Sequence, residues 1–210
     1  IQVNRVAGTA ADAPHPAVAL PDLSGLTAGS GHIGLLTLNG HLTVDQAVLA
    51  SGTGHVLLQA RTSDLIGGVT PLNDKDLFLN APVTSTMGHI SVRGNRDVTQ
   101  ALAGNITSRG DGTLDVEARF GSITMLNDVS GVTAGGNIRY SAAMNVQLVG
   151  MDAMDGDVSI LATQGSITDS GSSILRVTGA KLRLVAGAGI GTGSNHLDTA
   201  VGQIAAQAAG

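Results

Sequence analysis

One phrase returns along this chain: glycine, a small polar residue or histidine, a β-branched aliphatic, a variable residue, and usually a further apolar one. It reads Gly31-His32-Ile33-Gly34-Leu35, Gly54-His55-Val56-Leu57-Leu58, Gly88-His89-Ile90-Ser91-Val92 and Gly104-Asn105-Ile106. It continues as Gly121-Ser122-Ile123-Thr124-Met125, Gly136-Asn137-Ile138-Arg139-Tyr140, Gly156-Asp157-Val158-Ser159-Ile160 and Gly165-Ser166-Ile167. A phrase repeated this often constrains architecture before any single residue does. The glycine predicts a turn through positive φ, which glycine adopts at little cost. The apolar residues at alternate places predict a strand with one buried face. Short strands that each bury one face need neighbours above and below, so the reading is all-β: a right-handed parallel β-helix, a solenoid of stacked coils.

Composition supports a narrow core. Apolar residues make up 42% of the 210, yet aromatics are only 1%, namely Phe78, Phe120 and Tyr140. Stacked Ile, Val, Leu and Ala can fill a slender lumen, whereas a broad core usually needs rings. Glycine, 30 residues, is about twice its ordinary share and has no three-residue period, which excludes collagen.

The organisation expected is three-part. Residues 1–30, with Pro14, Pro16 and Pro21, read as a leader, cap or linker, although Leu20, Leu23 and Leu26 can dock on a first coil. Residues 31–204 carry the repeats. Residues 205–210 form a tail or the start of a next module. Within the repeats, Asn39-Gly40 reads as a corner and 64–76 as a loop. Leu77-Phe78-Leu79 and Val83 resume strand. Glycines at 88, 104, 121 and 136 suggest one strand and one corner per 8 to 9 residues, about, with two or three such units closing a coil. The pattern weakens at Ile106/Ser108 and Ile167/Asp169, where short strands or an outward Asp169 are expected. Leu197, Val201 and Ile204 fit either helical spacing or strand-like corners.

Net charge is −5 and diffuse, with no basic stripe and almost no rings for base stacking, so a nucleic-acid partner is not expected. Cysteine is absent, which removes disulfides, thiolate metal sites and cysteine nucleophiles. No 18-residue apolar stretch exists to span a membrane as a helix. Ile1-Gln2-Val3-Asn4 lacks the basic and apolar segments of a secretion signal, and the chain reads as a piece of something longer.

Leu77-Phe78-Leu79-Asn80-Ala81-Pro82-Val83-Thr84-Ser85 followed by Gly88-His89-Ile90-Ser91-Val92 resembles the repeats of filamentous-haemagglutinin-type bacterial exoproteins. Gly121-Ser122-Ile123-Thr124-Met125 and Gly165-Ser166-Ile167-Thr168-Asp169 are in the same style. Leu182-Arg183-Leu184-Val185-Ala186-Gly187-Ala188-Gly189-Ile190-Gly191-Thr192 is similar to sections of giant bacterial surface adhesins. The resemblance spans about residues 31–204 and is one of rhythm and composition. It implies a secreted or surface-displayed β-helix, a structural or adhesive rod or filament unit in an extracellular or biofilm setting. The implied partners are neighbouring repeats or copies stacked end to end, with a host-cell receptor or glycan as the alternative. The Pro-rich start departs from the pattern.

Few residues suggest chemistry. Arg109-Gly110-Asp111 matches the integrin-attachment tripeptide and equally reads as a corner, because Gly112 follows. Asp152, Asp155 and Asp157 crowd one turn, in an order that fits neither the twelve-residue calcium loop nor the glycine-rich nonapeptide. His32, His55 and His89 each follow a repeat glycine. Stacked on adjacent coils they would form a ladder for metal binding or pH sensing; otherwise they are exposed polar residues at strand starts. Gly187 to Gly193 lacks the Lys-Ser/Thr ending of a phosphate loop. Carboxylates are scattered, Glu117 is the one glutamate, and sugar-stacking rings are nearly missing, so no enzymatic activity, cofactor or metal is expected.

Overall fold

A computed structural model describes residues 1–3, 5–6, 9–10, 18–19, 23–62, 74–101, 103–126, 128–170 and 177–209. The described residues form strands joined by turns, bends and irregular stretches, without helix. The strands stack in parallel into a solenoid of about seven turns.

Each coil has three faces. The long face carries Ile33–Leu38, Val56–Arg61, Ile90–Gly94, Leu114–Ala118, Ile138–Ala142 and Val158–Ala162. The second face is a seven-stranded sheet made of Gln2–Val3, Leu42–Val44, Leu77–Leu79, Val98–Gln100, Ile123–Met125, Val146–Leu148 and Ile167–Asp169. Leu26–Ala28, Val48–Ala50, Val83–Ser85, Ile106–Ser108, Ser130–Thr133 and Gly150–Asp152 build the third. Val177–Ala186 crosses the third and long faces without a break, and Thr199–Ala208 pairs along it in parallel. Two antiparallel pairs, Arg5–Val6 with Leu23–Ser24 and Thr9–Ala10 with Val18–Ala19, lie outside these faces.

Alternation sets which residues fill the lumen. On the long face one inward rank runs Val56, Ile90, Leu114, Ile138, Val158, Leu182. The next runs Leu58, Val92, Val116, Tyr140, Ile160, Leu184, and all twelve are buried. A third rank is small, Ala60, Gly94, Ala118, Ala142, Ala162 and Ala186, because it sits where the chain turns toward the second face. These ranks form one continuous apolar core. Dispersion and the removal of apolar surface from water hold the coils together. Parallel backbone pairing along the axis satisfies the strand amides.

Several expectations need revision. The repeat glycines do not turn through positive φ; among the described residues that region holds only Gly25, Gly52, Gly135 and Gly191 of the glycines. Their role is close approach. A Cβ on Gly54, Gly88, Gly112, Gly136 or Gly156 would lie well inside 3.0 Å of the carbonyl oxygen of Gly31, Gly54, Gly88, Gly112 or Gly136 respectively. The backbones of successive coils touch at this corner, and only glycine fits.

The glycines at 88, 104, 121 and 136 mix different corners. Gly88, Gly112 and Gly136 share one corner, so a regular coil spans 24 residues between equivalent positions such as His89 and Thr113. Three strand-plus-corner units close it. Ser108 and Asp169 end three-residue strands and point inward, buried. Asp169 accepts a hydrogen bond from the amide of Asn195, and Ser108 donates to Gly88 O at 3.1 Å. Asn39, at φ 62°, makes the expected corner. Leu77–Leu79 and Val83–Ser85 are strands as expected. Most of the loop expected over 64–76 lies outside the described residues. Leu26 packs on the core within Leu26–Ala28, while the side chains of Leu20 and Leu23 lie outside the described set. Val201 and Ile204 belong to the strand Thr199–Ala208.

Candidate functional site

The polar residue after each repeat glycine has a definite task. At the corner entering the long face, His55 N donates to His32 Nδ1 at 2.9 Å and His89 N to His55 Nδ1 at 2.9 Å. Thr113 N donates to His89 Nδ1 at 3.0 Å, and further along Asp157 N donates to Asn137 Oδ1 at 2.9 Å. Each side chain thus accepts the backbone N–H of the same position one coil on. His and Asn each supply an acceptor at the required reach.

The three histidines stack on adjacent coils. The His32 and His55 rings lie 4.7 Å apart at 6°, and those of His55 and His89 lie 4.9 Å apart at 17°. The His55 imidazolium is disfavoured first by desolvation and then by His32 and His89, so its pKa falls below the ordinary histidine value. The stack is a poor metal site. Every Nδ1 already accepts an amide, and parallel rings aim their Nε2 atoms side by side rather than at one ion. Among the described residues no cluster of three or more His, Asp and Glu is placed to hold a metal.

A second ladder runs where the long face turns into the second. Asp76 N donates to His41 Nδ1 (3.0 Å), Asp97 N to Asp76 Oδ1 (3.2 Å) and Ser122 N to Asp97 Oδ1 (2.7 Å). Asn145 N then donates to Ser122 Oγ (3.2 Å), and Ser166 N to Asn145 Oδ1 (2.9 Å). Arg96 clamps the buried Asp76 with a two-pronged contact, Nε to Oδ1 at 2.8 Å and Nη2 to Oδ2 at 2.5 Å. That hydrogen bonding raises the Arg96 pKa above its usual value. Sequence reasoning missed this ladder. Gly40-His41-Leu42 carries the signal with Leu in place of a β-branched residue, but Arg96-Asp97-Val98 has no glycine to mark it.

The outer surface of the long face holds a small ionic cluster, also missed. Arg139 Nε meets Asp115 Oδ1 at 2.6 Å, Arg93 Nη2 meets Asp115 Oδ2 at 3.4 Å, and Arg93 Nε lies 3.8 Å from Glu117 Oε2. The Asp115 hydrogen bond raises the Arg139 pKa. Beside it lies a shallow, open hollow of about 500 Å³ bordered by His89, Ser91, Thr113, Asp115, Asn137 and Arg139. Its carboxylate is already engaged by arginine, and it offers no ring on which a sugar could stack.

Arg109, Gly110 and Asp111 form the turn between Ile106–Ser108 and Leu114–Ala118, with Arg109 and Asp111 exposed and Arg109 N bonded to Ser85 O at 3.0 Å. Asp152, Asp155 and Asp157 do not converge on one point. The carboxylate of Asp152 accepts Met154 N at 2.9 Å within its own turn, while Asp157 belongs to the corner ladder. Near the start, the half-buried Asp45 accepts from Asn80 Nδ2 (2.8 Å) and Gln2 Nε2 (2.5 Å), which hold its carboxyl below the ordinary range. No helix among the described residues is long and apolar enough to cross a membrane. No protein-family model, curated protein or solved structure matches this chain.

Proposed function

We propose that this chain is a structural shaft segment of an extracellular or cell-surface bacterial protein, and that it works by being long and stiff. The observation that carries the reading is the unbroken stacking of inward aliphatic ranks from Val56 to Leu182, held in register by side-chain ladders at two corners. Such a body resists bending because every coil is paired with its neighbours along its length. The resemblance to filamentous-haemagglutinin-type repeats supports the surface setting.

The test places the segment on a bacterial surface between an anchor and a tagged tip. A shaft should raise tip accessibility to antibody well above that of a flexible linker of equal residue count. Equal accessibility would remove the shaft role, as would release of product from acidic polysaccharides by the isolated chain.

One observation favours a second reading, a host-binding module. Arg109 and Asp111 are both exposed on a corner turn. Attachment of host cells to immobilised protein, compared between wild type and Asp111→Glu, separates the two. Unchanged attachment removes this turn as a receptor site.

End-to-end association fits the shaft reading. Thr199–Ala208 pairs with Val177–Ala186 along one edge, and no other described strand covers its far edge. The strand carries no charge, proline or bulge of the kind that discourages edge pairing. The occupant we propose for that edge is a second copy of this chain or a neighbouring repeat of the same protein, either of which would continue the same ranks.

A further inference from the structure

The histidine stack lies within the first three coils, between residues 32 and 89. Because each Nδ1 accepts a backbone N–H, each ring is the neutral tautomer with its proton on Nε2. A proton added at Nδ1 converts the acceptor into a donor that points at another donor. The bond to the next coil is lost, and a positive ring then faces its stacked neighbours 4.7 and 4.9 Å away. Later in the same ladder Asn137 performs the same task with an amide oxygen that does not titrate.

The surroundings offer little compensation. His55 has His32 on one side and His89 on the other. His89 also meets Thr113 Oγ1 at 3.0 Å and borders the hollow with Asp115 and Arg139, a carboxylate and cation already paired with each other. Arg109 and Asp111 stand on the turn before Thr113, and Asp157 lies further along the ladder beyond Asn137. His41 is a different case: it sits 3.5 Å from Asp76 Oδ2, so a proton there gains a carboxylate as it loses an amide.

We propose that the His32–His55–His89 stack is an acid-sensitive latch: mildly acidic pH unfastens the first three coils from one another while the coils after Thr113 keep their pairing. The sign follows from linkage. A histidine whose folded pKa is depressed contributes its full stability above the unfolded value of about 6.5. That contribution is lost as pH falls through the lower folded value, and His55 is shifted in this direction. The latch needs only the coil geometry, so its failure and the failure of the shaft role are separate results.

The test is amide hydrogen exchange on the whole chain at pH 7.5 and 5.5, corrected for intrinsic rates, for wild type and for the triple variant H32N/H55N/H89N. Asparagine keeps the acceptor and removes the titration. In wild type, protection of the His55, His89 and Thr113 amides should fall about fivefold to tenfold at the lower pH, with Val158–Ala162 unchanged; the variant should show no such fall. Equal protection at both pH values overturns the latch, as does an even loss over all coils or the same loss in the variant. Should the variant misfold, the ring ¹⁵N shifts of wild-type His55 decide. An Nε2–H tautomer giving way to imidazolium below the ordinary histidine value supports the latch. An Nδ1–H tautomer, or titration at or above that value, overturns it.

Discussion

The hydroxyl of Tyr140 occupies the space that a side chain on Gly131 would need: a Cβ at Gly131 would lie 2.8 Å from the phenol oxygen. Tyr140 is the one fully buried ring among the described residues, reaching across the lumen from the long face to donate to Gln100 Oε1 at 2.7 Å. Gln100 in turn donates to Gly104 O at 3.0 Å. Burial raises the phenol pKa despite that bond. A large residue on one face is thus matched by the smallest on another, and its polar tip is satisfied.

A double-mutant cycle should expose this pairing. Gly131→Ala should cost about 1–3 kcal/mol by overpacking. Tyr140→Phe should cost about 1–3 kcal/mol because Gln100 Oε1 is left buried without its donor. With the hydroxyl gone, the alanine should be tolerated better, giving a coupling of about 0.5 kcal/mol or more in denaturant unfolding. Simple additivity would mean that the hydroxyl and the glycine do not share this space.

The corner glycines should differ sharply from those on the surface. Gly112→Ala drives a methyl into Gly88 O and Ser108 Oγ and should lower stability by about 3 kcal/mol or more, visible as a large drop in melting temperature. Gly34 sits in an exposed strand position with nothing within 4 Å of a new Cβ. Gly34→Ala should be neutral or stabilise by about 0.4–1 kcal/mol through the unfolded chain. Equal effects at the two sites would disprove backbone contact as the reason for the repeat glycine.

The contrast shows what was legible in the sequence. Alternation around Ile90/Val92, Ile123/Met125 and Val158/Ile160 was enough to place those residues in the lumen, since a strand has only two sides. Three strands per coil were harder to see. Glycine followed by a polar and an aliphatic residue marks more than one corner, so Gly104 and Gly121 look equivalent to Gly88 and are not. The histidine alignment depends on loop length. The intervals of 23 and 34 residues differ because the coil from His55 to His89 is longer than the one before it, and strand alternation alone does not show that both return to the same corner. Asp169 was half-legible: the short strand was expected, but the partner that meets its inward carboxylate, Asn195, lies 26 residues later.

Arg96 and Asp76 provide a test of the second ladder. The buried carboxylate takes both prongs of the guanidinium and also the amide of Asp97. Arg96 is half-exposed at 45%, which tempers the charge contribution through solvent screening. Arg96→Ala should therefore cost about 1–3 kcal/mol, chiefly by leaving Asp76 short of donors. Arg96→Lys should recover only part of it, because an ammonium cannot span both oxygens. Full recovery by lysine in equilibrium unfolding would reduce the clamp to simple charge.

Ile204 offers the sharpest test of end-to-end association. It continues the rank that runs through Val158 and Leu182, each 1% exposed, yet it is itself 57% exposed because no described coil stacks upon it. A second copy seated there would bury it and extend the sheet in a head-to-tail contact that does not close on itself, so oligomers should lengthen with concentration. Ile204→Arg places a charge at the mouth of the apolar lumen, where desolvation opposes stacking. Sedimentation velocity should show wild-type oligomers growing with concentration and the arginine variant staying monomeric with unchanged β-structure. Wild-type protein that remains a monomer at high concentration would rule out stacking of isolated segments, and the open strand Thr199–Ala208 would then need a different covering.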